Sequence, residues 1–401
     1  MPSGAMVYSY TPLCMAELNM QDALLPRAEF YFFYCKIKLF PDSLRFGAGG
    51  VGKAFISQLA SYASTSRRPL STILIARSTQ AIISADYSGI DLTSWSTAAT
   101  SPAPSFSQTL SFLTAAPGPV ILVDNTADVG FAGNYPALLK SGISVVTPNK
   151  KGFSSDLSLW NAIYDASANN GVDGAGYVFH EATVGAGLPV LSTLKELIET
   201  GDEVQKIEGV FSGTMSFLFN SFAPLGGDNG GKGFAECVKE ARDLGYTEPD
   251  PRDDLNGLDV ARKLTILARL SGLMVESPTS FPIQSLVPEP LVAAKTAEEF
   301  LEGLAGFDGE MKSVKEEAEA AGGVTRFVGS LDVGTKAVSV GLKTFDKSSA
   351  IAGLKGSDNI ISFYTKRYGE RALIVQGAGA GAEVTAMGVL GDLIKVLQRL
   401  K

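Results

Sequence analysis

The chain has 401 residues, 45% of them hydrophobic, and a formal net charge of -8. That length suggests two or three domains with a sizeable core, and the composition is that of a folded globular protein. The acidic balance argues against nucleic acid as a partner, because phosphate binding needs a basic face. Three scattered cysteines, Cys14, Cys35 and Cys237, offer no zinc spacing and predict a reducing, cytoplasmic setting without a disulfide frame.

Residues 1–42 read as an atypical N-terminal extension. Glu17, Asp22 and Glu29 interrupt it and no basic region precedes an apolar core, so it is not a signal peptide. Phe30 to Phe40 is apolar and aromatic, but it is short and carries Lys36 and Lys38. It is too short to span a bilayer, and no membrane partner is expected. A strand-like extension or an artefact of the gene model is the expectation.

Gly47-Ala48-Gly49-Gly50-Val51-Gly52 fits G-x-G-x-x-G and opens a helical pattern striped by Phe55 and Leu59. Glycines let the backbone approach a pyrophosphate, and the helix N-terminus supplies N–H groups and positive potential. Gly47, Gly49, Gly50, Val51 and Gly52 are therefore candidate cofactor contacts. A buried strand should precede such a turn, yet only Ser43 to Phe46 stands there, with Arg45 inside it and Pro41 before it. Either Ile37 to Phe40 supplies part of the strand across a break, or the first strand is lost.

The apolar runs Ile73 to Ala76, Val120 to Val123 and Ser144 to Thr147 follow, with helical or irregular segments between them. The alternation implies an α/β fold, a Rossmann-type doubly wound parallel sheet over residues 43–183. Arg77 ends the second run, where an acid would hold a ribose 2′-hydroxyl; an arginine there accommodates a 2′-phosphate, which favours NADP over NAD. Ser94 to Gln108, rich in Ser, Thr, Ala and Pro, reads as a surface loop. Lys150 follows Pro148-Asn149 at a strand end, where open α/β sheets place ligands. From spacing alone a solvated turn lysine is the commoner reading.

The stretch Asp250 to Lys263 carries the most chemistry. Asp259 and Lys263 stand four apart and share a helical face. Glu248, just upstream, adds a carboxylate. Such a cluster can hold an ammonium with its acids and move a proton with its lysine. The bland alternative is an exposed helix start, where acids and an i,i+4 ion pair are ordinary. Asp253 and Asp254 are as well placed, although N-capping would satisfy them. The helix from Gly257 to Leu270 stops at Gly272, with Leu258, Ala261, Leu264, Leu267 and Leu270 as its buried side. Prolines 278 to 290 mark a loop, Ala297 to Ala321 is charged and helical, and Val324 to Lys343 and Ile360 to Gln376 alternate as strands. This is a second, α+β domain over 184–375. Residues 376–401 close the chain with a helix striped by Val384, Met387, Leu390, Ile394 and Leu397.

From about Gly47 to Leu400 the chain resembles homoserine dehydrogenase, most closely the short fungal form without a fused kinase. The resemblance rests on Val123-Asp124-Asn125-Thr126, Thr147-Pro148-Asn149-Lys150-Lys151, the run His180 to Pro189, Gly209 to Thr214, Asp250 to Lys263, and Gln376 to Gly381, in the family's order and roughly its spacing. It implies interconversion of L-homoserine and aspartate 4-semialdehyde with NADP or NAD, in threonine and methionine synthesis, by a homodimer. By the same resemblance residues 184–375 form the substrate-binding and dimerisation domain, and the last helix returns to the nucleotide-binding domain. Lys263 and Lys150 would be the catalytic pair. Glu248 and Asp259 would hold the substrate ammonium, with Gly245 and Asp254 beside them. Thr126, Lys150 and Gly381 would touch the cofactor. Glu181, with Val184, Ala186 and Leu188, would form a monovalent cation site for Na⁺ from one carboxylate and backbone carbonyls.

Oxidising an alcohol requires a hydride to leave the carbinol carbon and a proton to leave the hydroxyl, and the cofactor carries the hydride chemistry. Free lysine titrates near ~10.4, whereas a base useful near neutrality wants roughly 7–8. The difference is about 4 kcal/mol of bias against the charged form, which desolvation or a nearby cation can supply. Asp259 opposes that shift, so it is expected to contact substrate and not serve only as the lysine's partner. His180, the single histidine, is the one candidate for a histidine-based mechanism. Two competing readings remain: a catalytically silent nucleotide-binding or regulatory protein, and a dehydrogenase of a different amino acid, since fold alone does not fix substrate.

Overall fold

In the computed structural model residues 35–41, 48–66, 70–77, 79–226 and 230–400 are described. The chain divides into Met1–Phe32 and Phe33–Lys401, and everything below lies in the second unit. Its first sheet consists of β1 (Cys35–Pro41), β2 (Leu70–Ala76), β3 (Gln80–Ile83), β4 (Ser101–Pro102), β5 (Val120–Asn125), β6 (Ser144–Val146) and β7 (Val178–Phe179), in the order β4-β3-β2-β1-β5-β6-β7. From β2 across to β7 every pair is parallel, while β3 and β4 add an antiparallel edge.

The central strand comes from the segment set apart as an extension. β1 places Lys36 opposite Val120 and Pro41 opposite Asn125, with a register shift against β2 between Ile37 and Lys38. The boundary expected at residue 43 is therefore corrected: the sheet starts at Cys35. Backbone pairing on both sides places this strand, and of the two alternatives for the first strand it is the one in which Ile37 to Phe40 supplies part of it. Ser43 to Phe46 and Gly47 lie outside the described residues.

Both faces of the first sheet are covered, which is why β5 is buried along its whole length. On one face Ile75, Ile121, Val123 and Val146 pack with Phe55, Ile56 and Leu59 of helix Ala48–Thr65 and with Ala386, Val389, Leu393 and Val396 of helix Ala382–Arg399. On the other, Ile73, Leu122 and Val145 pack with Leu113, Leu138, Leu139, Phe153 and Ile163. The closing helix thus returns to the nucleotide sheet, but its buried stripe differs from the expected one. Met387 is 50% exposed, while the small residues Ala386 and Gly388 face inward. A Cβ on Gly388 would stand 2.7 Å from the Ala186 carbonyl oxygen, so close approach, not bulk, sets that face. The expected loop from Ser94 to Gln108 is also more ordered: it holds a 3₁₀ turn, Trp95–Thr97, then β4 and the Ser105–Gln108 capping box of helix Phe106–Thr114.

The second sheet consists of β8 (Val204–Val210), β9 (Gly323–Asp332), β10 (Ala337–Asp346), β11 (Asp358–Thr365) and β12 (Leu373–Ala378), in the order β10-β9-β8-β11-β12, antiparallel throughout. Helix Leu258–Leu270 packs against it and is buried almost all round from Val260 to Arg269. Its Arg269, 3% exposed, donates to the Phe153 carbonyl at 2.8 Å and the Ser155 carbonyl at 2.5 Å. Those carbonyls follow the turn that ends β6. The helix thereby ties the second sheet to the ligand edge of the first.

Candidate active site

Chain order reverses between β1 and β5, so the crevice beyond their C-terminal ends is the topological switch point of the sheet. The expected cofactor residues gather around it. Thr126 follows β5 directly, and its amide donates to Asp124 Oδ1 at 2.8 Å. Gly49, Gly50, Val51 and Gly52 lie in the first turns of helix Ala48–Thr65. A Cβ on Gly50 would meet the Ala382 Cβ at 3.3 Å, so this turn abuts the start of the closing helix, whose N-cap Gly381 has φ 111°. Asn125, at the end of β5, buries both polar atoms of its amide without a hydrogen-bond partner. A glycine cradle beside an orphaned carboxamide fits a ligand rich in oxygen acceptors and amide groups. Arg77, exposed just past β2, stacks its guanidinium 5.6 Å from the centre of the Trp95 ring.

Facing this edge, helix Leu258–Leu270 begins at Gly257, whose φ of 74° is left-handed. A Cβ there would stand 3.0 Å from Ile283 and 3.1 Å from Phe327, so the tight start is also a packing requirement. Asp259 sits in the first turn and Lys263 one turn later. Lys263, 7% exposed, places its Nζ 2.7 Å from Asp259 Oδ2 and 2.6 Å from the Phe211 carbonyl. Lys150, from the turn after β6, reaches Asp259 Oδ1 at 3.0 Å. One carboxylate therefore forks between two lysines. Burial lowers the pKa of Lys263, with the Lys150 charge acting in the same direction and Asp259 against it. Burial alone would raise the Asp259 carboxyl; Lys150 and Lys263 together overcome that and hold it below the usual carboxylate range.

A second pair of acids borders this group. Asp254 accepts from the Glu248 amide at 2.7 Å and from the Thr214 hydroxyl at 2.9 Å; that hydroxyl also lies 2.6 Å from the Tyr246 carbonyl. Asp254 makes no capping bond at helix Arg252–Leu255. It ties the loop carrying Glu248 to helix Gly213–Phe222. Burial pushes its carboxyl up to about 6. Glu248 is also raised, by burial and then by the nearby Asp253 and Asp259. Gly245 is exposed on the same loop, with φ 77°. Sequence reasoning assigned no role to Thr214 or Phe211; their only signal was the run Gly209 to Thr214.

The expected cation ligands have other partners. Glu181 Oε1 accepts from the Leu191 amide at 2.7 Å, and Oε2 accepts from Ser192 at 3.0 Å and lies 3.4 Å from Lys395. Its carboxylate is thus committed to the start of helix Val190–Glu199 and to a lysine. The turn through Val184, Ala186 and Leu188 is left-handed at Gly185, φ 79°, and Ala186, φ 54°. Among the described residues no group of three or more His, Cys, Asp or Glu could hold a metal ion. His180 is enclosed, stacked 3.8 Å from the Phe153 ring and bonded to the Tyr164 hydroxyl at 2.8 Å. Burial pushes its pKa well below the ordinary range, so it stays neutral and structural.

A doubly wound sheet with a glycine turn at its switch point, whose Lys150 meets Asp259 and Lys263 of a second domain, is the architecture of a two-domain nicotinamide-dependent oxidoreductase. Residues 47–175 match the family model described as the homoserine dehydrogenase NAD-binding domain, and residues 189–394 match that of homoserine dehydrogenase. The chain is 58% identical to homoserine dehydrogenase of Emericella nidulans and 52% identical to that of Saccharomyces cerevisiae, each alignment covering 88% of this chain and 97% of the relative. Among solved structures, a Candida auris protein of unknown function superposes with a TM-score of 0.85 at 46% identity, over 92% of this chain and 99% of that one. A hyperthermophilic archaeal homoserine dehydrogenase in complex with NADPH shares the fold, with a TM-score of 0.66 at 23% identity over 92% of this chain and 99% of that one. The chain belongs to the homoserine dehydrogenase family and is an oxidoreductase; nothing in these comparisons favours a catalytically silent relative.

Proposed function

We propose that this protein oxidises L-homoserine to L-aspartate 4-semialdehyde and catalyses the reverse reduction, as a step in threonine and methionine synthesis. The observation that carries this reading is the forked carboxylate: Asp259 between Lys150 and Lys263, opposite the nucleotide edge of the sheet. The nicotinamide supplies or accepts the hydride when bound. Gly47, Gly49, Gly50, Val51, Gly52, Thr126, Lys150 and Gly381 are the residues that would hold the dinucleotide, and the orphaned Asn125 amide supports a ligand there. Arg77 suits a 2′-phosphate and so favours NADP over NAD.

Lys263 is the proton carrier in this reading. Burial already disfavours its charged form, so it can take the hydroxyl proton during oxidation and return it during reduction. Lys150 keeps a second positive charge beside it, which favours that loss. Glu248 and Asp259 balance the substrate ammonium, with Gly245 and Asp254 shaping the loop, because an unpaired buried charge is very costly.

A monovalent cation such as Na⁺ would rest on the carbonyls of Val184, Ala186 and Leu188, with Glu181 holding the turn through its bonds to Leu191 and Ser192. Residues 35–183 would form the nucleotide-binding domain, 184–375 the substrate-binding and dimerisation domain, and 376–401 the returning helix. A homodimer through the second domain is supported by Ile374, exposed on the edge strand β12. A cytoplasmic location accords with the described residues, where no helix is long and apolar enough to cross a membrane. The test is NADP⁺ and NAD⁺ reduction with L-homoserine and a panel of other hydroxy and amino acids. Turnover confined to L-homoserine supports the reading; faster turnover of another substrate overturns it.

A further inference from the structure

Asp124 is fully buried in β5, and among the described residues the donors that reach its carboxylate are neutral. A buried acid without a cation is costly to keep, so what it holds is informative. Oδ1 accepts from the Thr126 amide at 2.8 Å. Oδ2 accepts from the Tyr135 hydroxyl and from Asn149 Nδ2 at 3.3 Å. The Asp124 carbonyl accepts from the Thr147 hydroxyl at 2.6 Å, and that hydroxyl oxygen accepts from the Asn149 amide at 2.9 Å. Asn149, 2% exposed, also donates to the Asp128 carbonyl at 2.9 Å and accepts from the Lys151 amide at 3.1 Å. Lys150 stands between these two anchored residues. One acid therefore braces the ends of β5 and β6 together, one leading to the nucleotide crevice and the other to the lysine pair.

We propose that Asp124, acting through Tyr135, Thr147 and Asn149, is a positioning residue that sets Lys150 against Asp259 and fixes Thr126 at the same time. This rests on the reading of Lys150 and Lys263 as the proton-handling pair. The groups that act on Lys263 are Asp259 and Asp254, which favour its charged form, and Lys150, which disfavours it. A slackened turn withdraws Lys150, leaves Asp259 to Lys263 alone, and makes Lys263 hold its proton more tightly. Homoserine oxidation then needs a higher pH. A contribution to folding alone would leave that pH dependence unmoved.

The test uses Tyr135→Phe, which removes one hydroxyl from the network, and Asp124→Asn, with Lys263→Ala in parallel, all in the full chain. Circular dichroism and thermal melting establish folding, and kcat, KM and the pH profile are measured for homoserine oxidation. The expected result for the first two is a kcat lower by about ten- to a hundredfold, a homoserine KM little changed, and a rate profile displaced to higher pH. If Lys263→Ala loses turnover while Tyr135→Phe and Asp124→Asn melt earlier but keep the parent kcat and pH profile, the positioning role is overturned. Full turnover in Lys263→Ala instead overturns the lysine reading on which it rests.

Discussion

Lys150 and Asp259 form an ion pair of 3.0 Å between the two halves of the protein, one residue from the turn after β6 and the other from the helix against the second sheet. Each side chain is about a third exposed, at 33% and 39%, so the pair adds little stability of its own. Its value lies in placement. The site is complete only where the nucleotide edge meets the second domain.

Removing Lys263 is the sharpest test of the proton path. Lys263→Ala is expected to lower kcat by about 10²–10⁴-fold, the usual worth of a positioned acid/base. The fold should persist, because Leu264, Leu267 and the other apolar residues of that helix still fill the core. Circular dichroism and steady-state rates decide it.

Glu248 and Asp259 should separate in kinetics. Glu248→Gln is expected to raise the homoserine KM with little change in kcat and none in nucleotide affinity, since Glu248 pairs with no lysine among the described residues. Asp259→Asn should lower kcat as well, because it releases Lys150 and Lys263 from their shared partner. Titrating each ligand against each variant tells the two apart.

Asp254 predicts an acid limb. Its carboxyl is pushed up to about 6 by burial, so it gains a proton as the pH falls through that value and holds the Glu248 loop less firmly. The homoserine KM should therefore rise below about pH 6, and Asp254→Asn should flatten that rise. The folded protein binds this proton more tightly than the unfolded chain does. The same titration therefore adds stability as the pH falls from above 6 towards the ordinary carboxyl range. Measurements of KM and thermal midpoint against pH check both signs.

Arg77, if it reads a 2′-phosphate, should carry the nucleotide preference. Arg77→Ala is expected to weaken NADP⁺ while leaving NAD⁺ nearly intact. Trp95→Leu should produce a smaller loss in the same direction, because the ring supports the guanidinium from 5.6 Å. Tight, equal binding of both nucleotides by the unaltered chain would falsify the assignment.

Gly379 should tolerate no side chain. A Cβ there would fall 2.0 Å from Nδ2 of Asn359, whose amide is fully buried and has no hydrogen-bond partner. Gly379→Ala is expected to cost about 1–3 kcal/mol, and adding Asn359→Ser should recover part of it. Thermal denaturation of the three variants decides the point.

Much of this site was legible because its chemistry is local. Asp259 and Lys263 share one helix, and Glu248 and Asp254 lie six residues apart just before it. What escaped the sequence depends on partners far along the chain. Thr214 meets Asp254 only in the folded protein, and Asp124 meets Asn149 only because β5 and β6 lie side by side. The bonds from Glu181 to the start of helix Val190–Glu199 likewise join residues about ten apart that no local pattern links. β1 was legible only as one of two alternatives, because its lysines and its distance from the glycine turn blur the strand signal, and the inner face of the closing helix was hidden by small residues with little hydrophobic signal.

That closing helix imposes an order on synthesis. Phe55, Leu59, Ile121 and Val123 share a core with Val389, Leu393 and Val396, residues translated only after every strand of both sheets. Until that helix emerges, the part of this sheet face that helix Ala48–Thr65 does not cover stays exposed. Such surface is what chaperones bind and what drives misassembly. The nucleotide sheet is consequently completed only after the second sheet has been made, and a chain truncated before Ala382 should aggregate even though it contains every strand of both sheets.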